Sequence, residues 1–279
     1  MIILFSAGQL GNQIFQYVYA ESLCKNNEKI ITSFCEYFDI FKYDERKYVF
    51  VNKYIRFVLR RFLTVLIKLR VVTYIKQKQK IYKGYIVDVD DILFKKGIFS
   101  NIKVVDGFFQ SEKFVKFQPK IKEIYIKKAK EFLADVAEKD YKLIFVHIRR
   151  GDYLDWSILG KKDPSLSVEY YKKQIDYFLV KLNNPFFIFL SNDDSFVENK
   201  FGYLKNKKIS KNSVGVDIAI MSLCEYAIVS NSTLSWWGAN LMKKRQIVFA
   251  PKYWLGWKSG VWFPNGIELS FVNFIEAIK

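Results

Sequence analysis

Three polar clusters hold the residue types that chemistry on a charged substrate needs. The first is H-I-R-R-G-D-Y at 147–153, which closes an apolar run, KLIFVHI, at 142–148. Two adjacent arginines on a strand exit can present guanidinium forks to phosphate oxygens. Successive strand residues point to opposite faces, so one of Arg149 and Arg150 is expected to serve a ligand and the other the scaffold. The plain alternative is a solvated loop, and the R-G-D tripeptide within it is too short to carry meaning. The second cluster is S-N-D-D-S at 191–195. Asp193 or Asp194 there can accept hydrogen bonds from a guanine edge or a ribose hydroxyl. Asn192 and Asp193 are also good caps for a following helix, and taken alone the cap is the better reading. The third is S-N-S-T-L-S-W-W-G-A at 230–239. Hydroxyls and free backbone N–H groups at a helix start form an anion site, so Ser232, Thr233 and Ser235 can hold a diphosphate. Trp236 and Trp237 are expected to pack between helix and sheet. The three clusters together describe a nucleoside diphosphate site. No G-x-x-x-x-G-K-[ST] loop and no G-x-G-x-x-G is present, which sets aside a P-loop ATPase and a classical dinucleotide binder.

The elements that must position these clusters follow from periodicity. Strand-length apolar runs at 142–148, 185–191, 225–230 and 246–250 alternate with helical patterns at 167–182 (N-cap Ser167), 193–200, 215–223 and 233–244. Continuous apolar strands separated by helices predict a parallel sheet covered on both faces, with ligands beyond its carboxyl ends. Residues 1–6 read as a short buried strand, broken at Gly8 and Gly11 and followed by a helix from Asn12 to about Lys25. A helix at 119–139 ends where composition shifts. The predicted organisation is therefore α/β with two domains, 1–139 and 140–279.

Composition narrows the function. Over 279 residues, 51% are hydrophobic and 18% aromatic, enough for a substantial core, and 26% are charged. Three scattered cysteines (Cys24, Cys35, Cys224) fit a reducing compartment, and a single histidine excludes a multi-histidine metal site. Lys and Arg exceed Asp and Glu by 45 − 28 = 17, which suggests a polyanionic partner or a generally lysine-rich surface. Residues 51–80 hold nine Lys or Arg and no acid. On a helical wheel Lys53, Arg56, Arg60, Arg61, Lys68 and Arg70 share one half. Ile55, Val58, Leu59, Phe62, Val65, Leu66 and Leu69 share the other. Such a helix suits an anionic membrane surface, or packs its apolar face on its own domain. The opening MIILFSAGQLGNQ lacks a basic n-region, and no stretch reaches the ~18 apolar residues of a spanning helix. The expected location is cytoplasmic, peripheral on the inner membrane face.

G-Q-L-G-N-Q at 8–13, G-F-F-Q-S-E-K-F at 107–114, and the clusters at 147–153 and 230–239 stand in the order found in the α-1,2-fucosyltransferases, and the chain resembles that family, glycosyltransferase family 11, over nearly its whole length. The resemblance implies a GT-B architecture of two Rossmann-like domains facing a cleft. It implies inverting, metal-independent transfer of L-fucose from GDP-fucose to the 2-hydroxyl of a galactosyl residue, with no cofactor beyond the donor. Carried over by motif, Arg149 would bind the β-phosphate and His147 would lie against the nucleotide. Asp193 or Asp194 would meet the guanine, and Asn231, Ser232 and Thr233 would complete the phosphate site. Gly11, Asn12 and Gln13 would approach from the N-terminal domain. Gln9 departs from the family's usual glycine, a strain if position 9 needs positive φ. Residues 35–100 match no family motif and are where acceptor choice is expected.

Displacement at the anomeric carbon develops charge on the departing diphosphate, which Arg149 and the helix start at 231–235 must stabilise. Asp152, one loop turn away, is the first candidate for a base and His147 the second. Two rival readings have their own residues. D-V-D-D at 88–91 supplies Asp88 and Asp90 for a metal-dependent GT-A enzyme, and the charge alone would suit a non-enzymatic module on nucleic acid or membrane. The strand-end clusters favour the enzyme, with no nucleic-acid partner and with a β-galactosyl acceptor that a membrane-bound enzyme would find on a lipid-linked glycan.

Overall fold

The computed structural model describes residues 1–25, 27–137 and 139–277. Two compact units divide the chain, Met1–Lys120 and Ile121–Lys279. The division falls nineteen residues before the expected boundary at 139/140. The cause is the helical segment after residue 120. Its parts, α4 (Glu123–Phe132) and α5 (Ala134–Ala137), belong to the second unit. There Lys208 Nζ donates to the Phe132 carbonyl and pairs with Asp135, both at 2.7 Å.

The first unit contains β1 (Ile2–Ile3), α1 (Leu10–Ser22), β2 (Ile30–Thr32), α2 (Glu36–Ile40), β3 (Tyr48–Phe50), α3 (Lys53–Lys68), β4 (Val72–Tyr82), β5 (Tyr85–Lys95) and β6 (Phe99–Asp106). Its sheet runs β3-β2-β1-β6-β4-β5, parallel except for β5, which is antiparallel to β4. The basic segment 51–80 is therefore not one helix. Asn52 caps α3 by accepting from the N–H groups of Tyr54 and Ile55. The helix stops before Arg70, which adopts φ 54°. Beyond it, Thr73, Ile75 and Gln77 are buried while the intervening side chains are not. That period of two is a strand signal, and Lys76, Lys78 and Lys80 occupy its other face.

The second unit continues with β7 (Lys142–Ile148), the short hairpin β8 (Ser157–Ile158) and β9 (Lys161–Lys162), α6 (Val168–Lys181), β10 (Pro185–Ser191), α7 (Asp194–Phe201), β11 (Lys207–Ile209), α8 (Val214–Leu223), β12 (Tyr226–Ile228), α9 (Thr233–Asn240), β13 (Val248–Pro251) and β14 (Asn273–Ile275). The helix expected over 233–244 ends four residues early. The sheet order is β11-β10-β7-β12-β13-β14, all parallel. Counted within the unit this is 3-2-1-4-5-6, the doubly wound order that binds nucleotides where the winding reverses. Here that point lies between β7 and β12. Ile144, Val146 and Ile148 of β7 join Phe187, Phe189 and the α6 tyrosines Tyr170 and Tyr171 in one buried core. Alternation then sends Phe145 and His147 to the opposite face.

Candidate active site

The structure gathers the three strand-end clusters of the second unit. Arg149 Nη2 lies 2.8 Å from Asp152 Oδ2, and its guanidinium sits over the Tyr153 ring at 5.6 Å. Arg150 turns the other way. It stacks on Phe196 of α7 at 4.2 Å and lies 3.4 Å from Asp193. The two arginines thus take different partners, Arg149 with Asp152 and Tyr153 of its own loop and Arg150 with Asp193 and Phe196 of the second cluster.

Asn192 fastens the second cluster to the first. Its Oδ1 accepts from the Arg150 N–H at 2.9 Å, and its Nδ2 donates to Asp152 Oδ1 at 3.4 Å. Gly151 makes this possible, since a Cβ there would stand 2.5 Å from Asn192 Nδ2. Asp193 is a cap, as its position suggested: Oδ1 accepts from the Phe196 N–H at 3.0 Å. Its carboxylate is therefore shared between helix and Arg150, and Asp194 occupies the first turn of α7.

The third cluster is fastened through His147. Its Nδ1 lies 2.8 Å from Ser230 Oγ, and the residue is 4% exposed. Burial chiefly, and the Arg149 charge next, push its pKa down to about 3. The imidazole is neutral at physiological pH and adds no charge of its own. Tyr153 donates to the Asn231 carbonyl at 3.1 Å, and burial raises its pKa so that it stays a donor. Asn231 Nδ2 donates to the Pro164 carbonyl at 2.7 Å, which leaves its Oδ1 buried with no hydrogen-bond partner among the described residues. Ser232 stands at the N-cap of α9 without a side-chain cap bond, so its hydroxyl is not spent on the helix. Ser235 instead donates to the carbonyls of Ser230 and Ser232. Trp236 and Trp237 are fully buried, as expected, and Trp236 Nε1 donates to the Ile267 carbonyl. Beside Arg150 a cavity of about 430 Å³ opens, lined among others by Lys161, Ser165, Phe196, Trp257 and Lys258.

In the first unit the G-Q-L-G-N-Q turn is built by side-chain amides. Gly8 has φ +78°, while Gln9 has φ −80°, so the position that departs from the family pattern carries no strain. Gln13 donates to the Gly8 carbonyl and accepts from the Tyr37 N–H, both at 3.1 Å. Gln16 bridges the Ala7 N–H and the Gly107 carbonyl. Asn12 accepts from Gln110 at 2.7 Å, which joins the turn to the second motif. Gln13 and Gly11 are buried, which makes Gln13 a holder of the turn; Asn12 is half-exposed. Asp88, Asp90 and Asp91 lie in or beside the β4–β5 hairpin. Asp88 accepts from Gln79, and Asp91 pairs with Lys78 at 2.7 Å. Among the described residues no group of three or more potential metal ligands gathers.

The tethering roles of Asn192, Ser230 and Tyr153 are not among the expectations from sequence. The signal for Asn192 was the glycine at 151. Nothing local marked Ser230, because its partner lies on another strand.

Comparison with known proteins gives one consistent direction. The family model described as Glycosyl transferase family 11 matches residues 1–257. The O-antigen biosynthesis glycosyltransferase WbnK of Escherichia coli is 36% identical over 114 residues, 39% of this chain and 38% of that protein. An α-1,2-colitosyltransferase of Escherichia coli is 34% identical over 161 residues, 53% of this chain and 54% of that protein. The matches thus span about two-fifths to about half of these curated relatives. Among solved structures, NodZ α-1,6-fucosyltransferase soaked with GDP-fucose superposes with a TM-score of 0.52 at 10% identity, over 86% of this chain and 92% of that one. POFUT1 in complex with GDP-fucose gives 0.53 at 13%, over 89% and 97%. A family 9 glycosyl transferase from Veillonella parvula gives 0.56 at 13%, over 98% and 85%. Likeness at this identity shows the fold, which is GT-B-like and not the GT-A fold of the alternative built on Asp88 and Asp90.

Proposed function

Since the chain belongs to glycosyl transferase family 11, we propose that it transfers L-fucose from GDP-fucose to the 2-hydroxyl of a galactosyl residue, with inversion and without a metal ion. The observation that carries this reading is Arg149, 15% exposed and held by Asp152 at the switch point of a doubly wound sheet. An anion bound there meets a guanidinium and the N–H groups at the start of α9. In the transfer, the acceptor hydroxyl oxygen attacks the anomeric carbon as the bond to the diphosphate breaks, and the hydroxyl proton passes to solvent water. The electron pair leaves with GDP, and Arg149 and the α9 N–H groups stabilise the charge that develops on it. The buried, neutral His147 and Ser230 keep the two loops in register.

Asp152 has one oxygen on Arg149 and the other on Asn192, and we assign it to positioning Arg149 in preference to proton abstraction. The acceptor we infer is a β-galactosyl residue of a surface glycan, lipid-linked during synthesis and met on the cytoplasmic side. A second reading, colitosyl transfer from GDP-colitose, is favoured by the relative named for that sugar.

The test is incubation with each donor and a panel of β-galactosyl acceptors in EDTA, with products read by mass spectrometry. Gain of one deoxyhexose from GDP-fucose supports the proposal, and linkage analysis must place it on O2. Product from GDP-colitose alone supports the second reading. Product only after Mn²⁺ is restored overturns metal independence.

A further inference from the structure

The outer surface of α3 divides into three arcs at 100° per residue. Leu59, Leu63, Leu66 and Ile67 face inward, onto a core containing Ile3, Val72 and Val104. Arg56 belongs with them, since its Nη2 donates to the Ser6 carbonyl at 3.3 Å. Next round the helix, Tyr54, Val65, Val58, Leu69, Phe62 and Ile55 span an arc of about 100°. All six are between 51% and 70% exposed. The remaining arc holds Arg60, Lys53, Lys68 and Arg61, with Thr64 and the exposed Phe57 between them and the Arg61 guanidinium over the Phe57 ring at 4.4 Å. The inward-packing alternative thus accounts for only part of the apolar surface. A second apolar face points to solvent beside a row of cations, and no acid occurs anywhere from 51 to 80. Val49 and Phe50, just before the helix cap, extend the exposed apolar surface at 44% and 39%.

We propose that this outward face of α3 docks the protein on an anionic lipid surface, with the helix lying in the plane of the bilayer. Charge selects the occupant. Phosphate headgroups complement Lys53, Arg60, Arg61 and Lys68, whose long stems let the charges reach the headgroup layer while Phe62 and Val58 enter the acyl boundary. A second copy of the chain would bring a like row of cations against this one, in a protein whose net charge is +17. Spanning is not required of the segment: no described helix is long and apolar enough to cross a membrane. The 16 residues of α3 form a contact about 24 Å long. This proposal rests on the surface of the first unit and stands apart from the catalytic reading.

The experiment is flotation of the whole chain with vesicles of phosphatidylcholine alone, or with about 30% phosphatidylglycerol. Binding to the anionic vesicles only, weakened by salt, is expected. Arg60→Gln/Arg61→Gln/Lys68→Gln should lower the partition coefficient about fivefold per charge, on the order of 100-fold in all. Val58→Ser/Phe62→Ser/Val65→Ser should also abolish flotation, with an unchanged circular dichroism spectrum, because these side chains are already exposed. Lys172→Gln/Lys173→Gln/Lys181→Gln, which removes the same charge from α6, should bind like the parent. Equal loss in that control would show bulk charge at work and overturn the proposal. So would absence of binding to anionic vesicles, equal binding to neutral ones, or dimers in sedimentation that the Val58/Phe62/Val65 variant dissolves.

Discussion

Replacing Asp152 with asparagine separates a positioning residue from a catalytic base by magnitude. Asp152 is about half exposed and its partner Arg149 is 15% exposed, with 2.8 Å between Oδ2 and Nη2. A pair so placed is screened by water, and its loss is worth about 1 kcal/mol. Asparagine keeps an oxygen within reach of the guanidinium, so Arg149 should stay near its place with a softer hold. The expected result is a fall of about fivefold in kcat/KM for GDP-fucose, shared between weaker GDP binding and slower transfer. A general base removed in the same way would cost about 10²–10⁴ in kcat while leaving GDP affinity alone. Initial rates with saturating acceptor, together with calorimetric titration of GDP, distinguish the two. A hundredfold loss of kcat at unchanged GDP affinity would refute the positioning role and return Asp152 to the attacking hydroxyl.

Arg149→Ala should lower kcat by at least about 10² and weaken GDP binding about tenfold, since it removes the charged donor assigned to the diphosphate; turnover near that of the parent would end the donor-site assignment. Asp217 tests the fold through pH. Burial chiefly, and Asp194 among the charges, raise its pKa from 3.8 to about 6, against a hydrogen bond from Ser210. The folded chain therefore holds a proton that the unfolded chain has released, so this group's effect on stability worsens as pH rises from about 4 to 6 and is constant above. Asp217→Asn should stabilise by about 2–3 kcal/mol at pH 8 and by nothing near pH 3.5, measured by urea unfolding at both. Gly238→Ala should destabilise by about 1–3 kcal/mol, because the new Cβ would stand 2.2 Å from Met221 Sδ where α9 crosses α8; Met221→Ala should relieve part of that cost, and additive losses would disprove the clash.

What was legible in the sequence follows from what holds each part together. The second unit's strands are continuous apolar runs, so β7, β10 and the cap at Ser167 stand close to their expected places. In the first unit β4 alternates lysine with glutamine, and a helix-minded reading of the charge run absorbed it into α3. Its register depends on β6 and β5, which no local pattern reveals. The same holds at the site. Arg149 and the α9 start lie within contiguous motifs, whereas Asn192 and Ser230 acquire their roles only across strands. Gln13 lay within a motif yet turned inward, because both ends of its amide are needed to close the turn over Gly8.

The central place of β7 has a consequence for how the protein is made. His147 and Ser230 are 83 residues apart in the chain and in contact in the fold. At about 5–20 residues per second, a ribosome needs about 4–17 s to supply the second after the first. For about half of that interval β7 has neither neighbour; once Pro185–Ser191 has followed it can pair with β10 but not with β12, whose Tyr226 will stand against Ile144. The strand leading to Arg149 is thus first an apolar open edge, the kind of surface that recruits wrong partners.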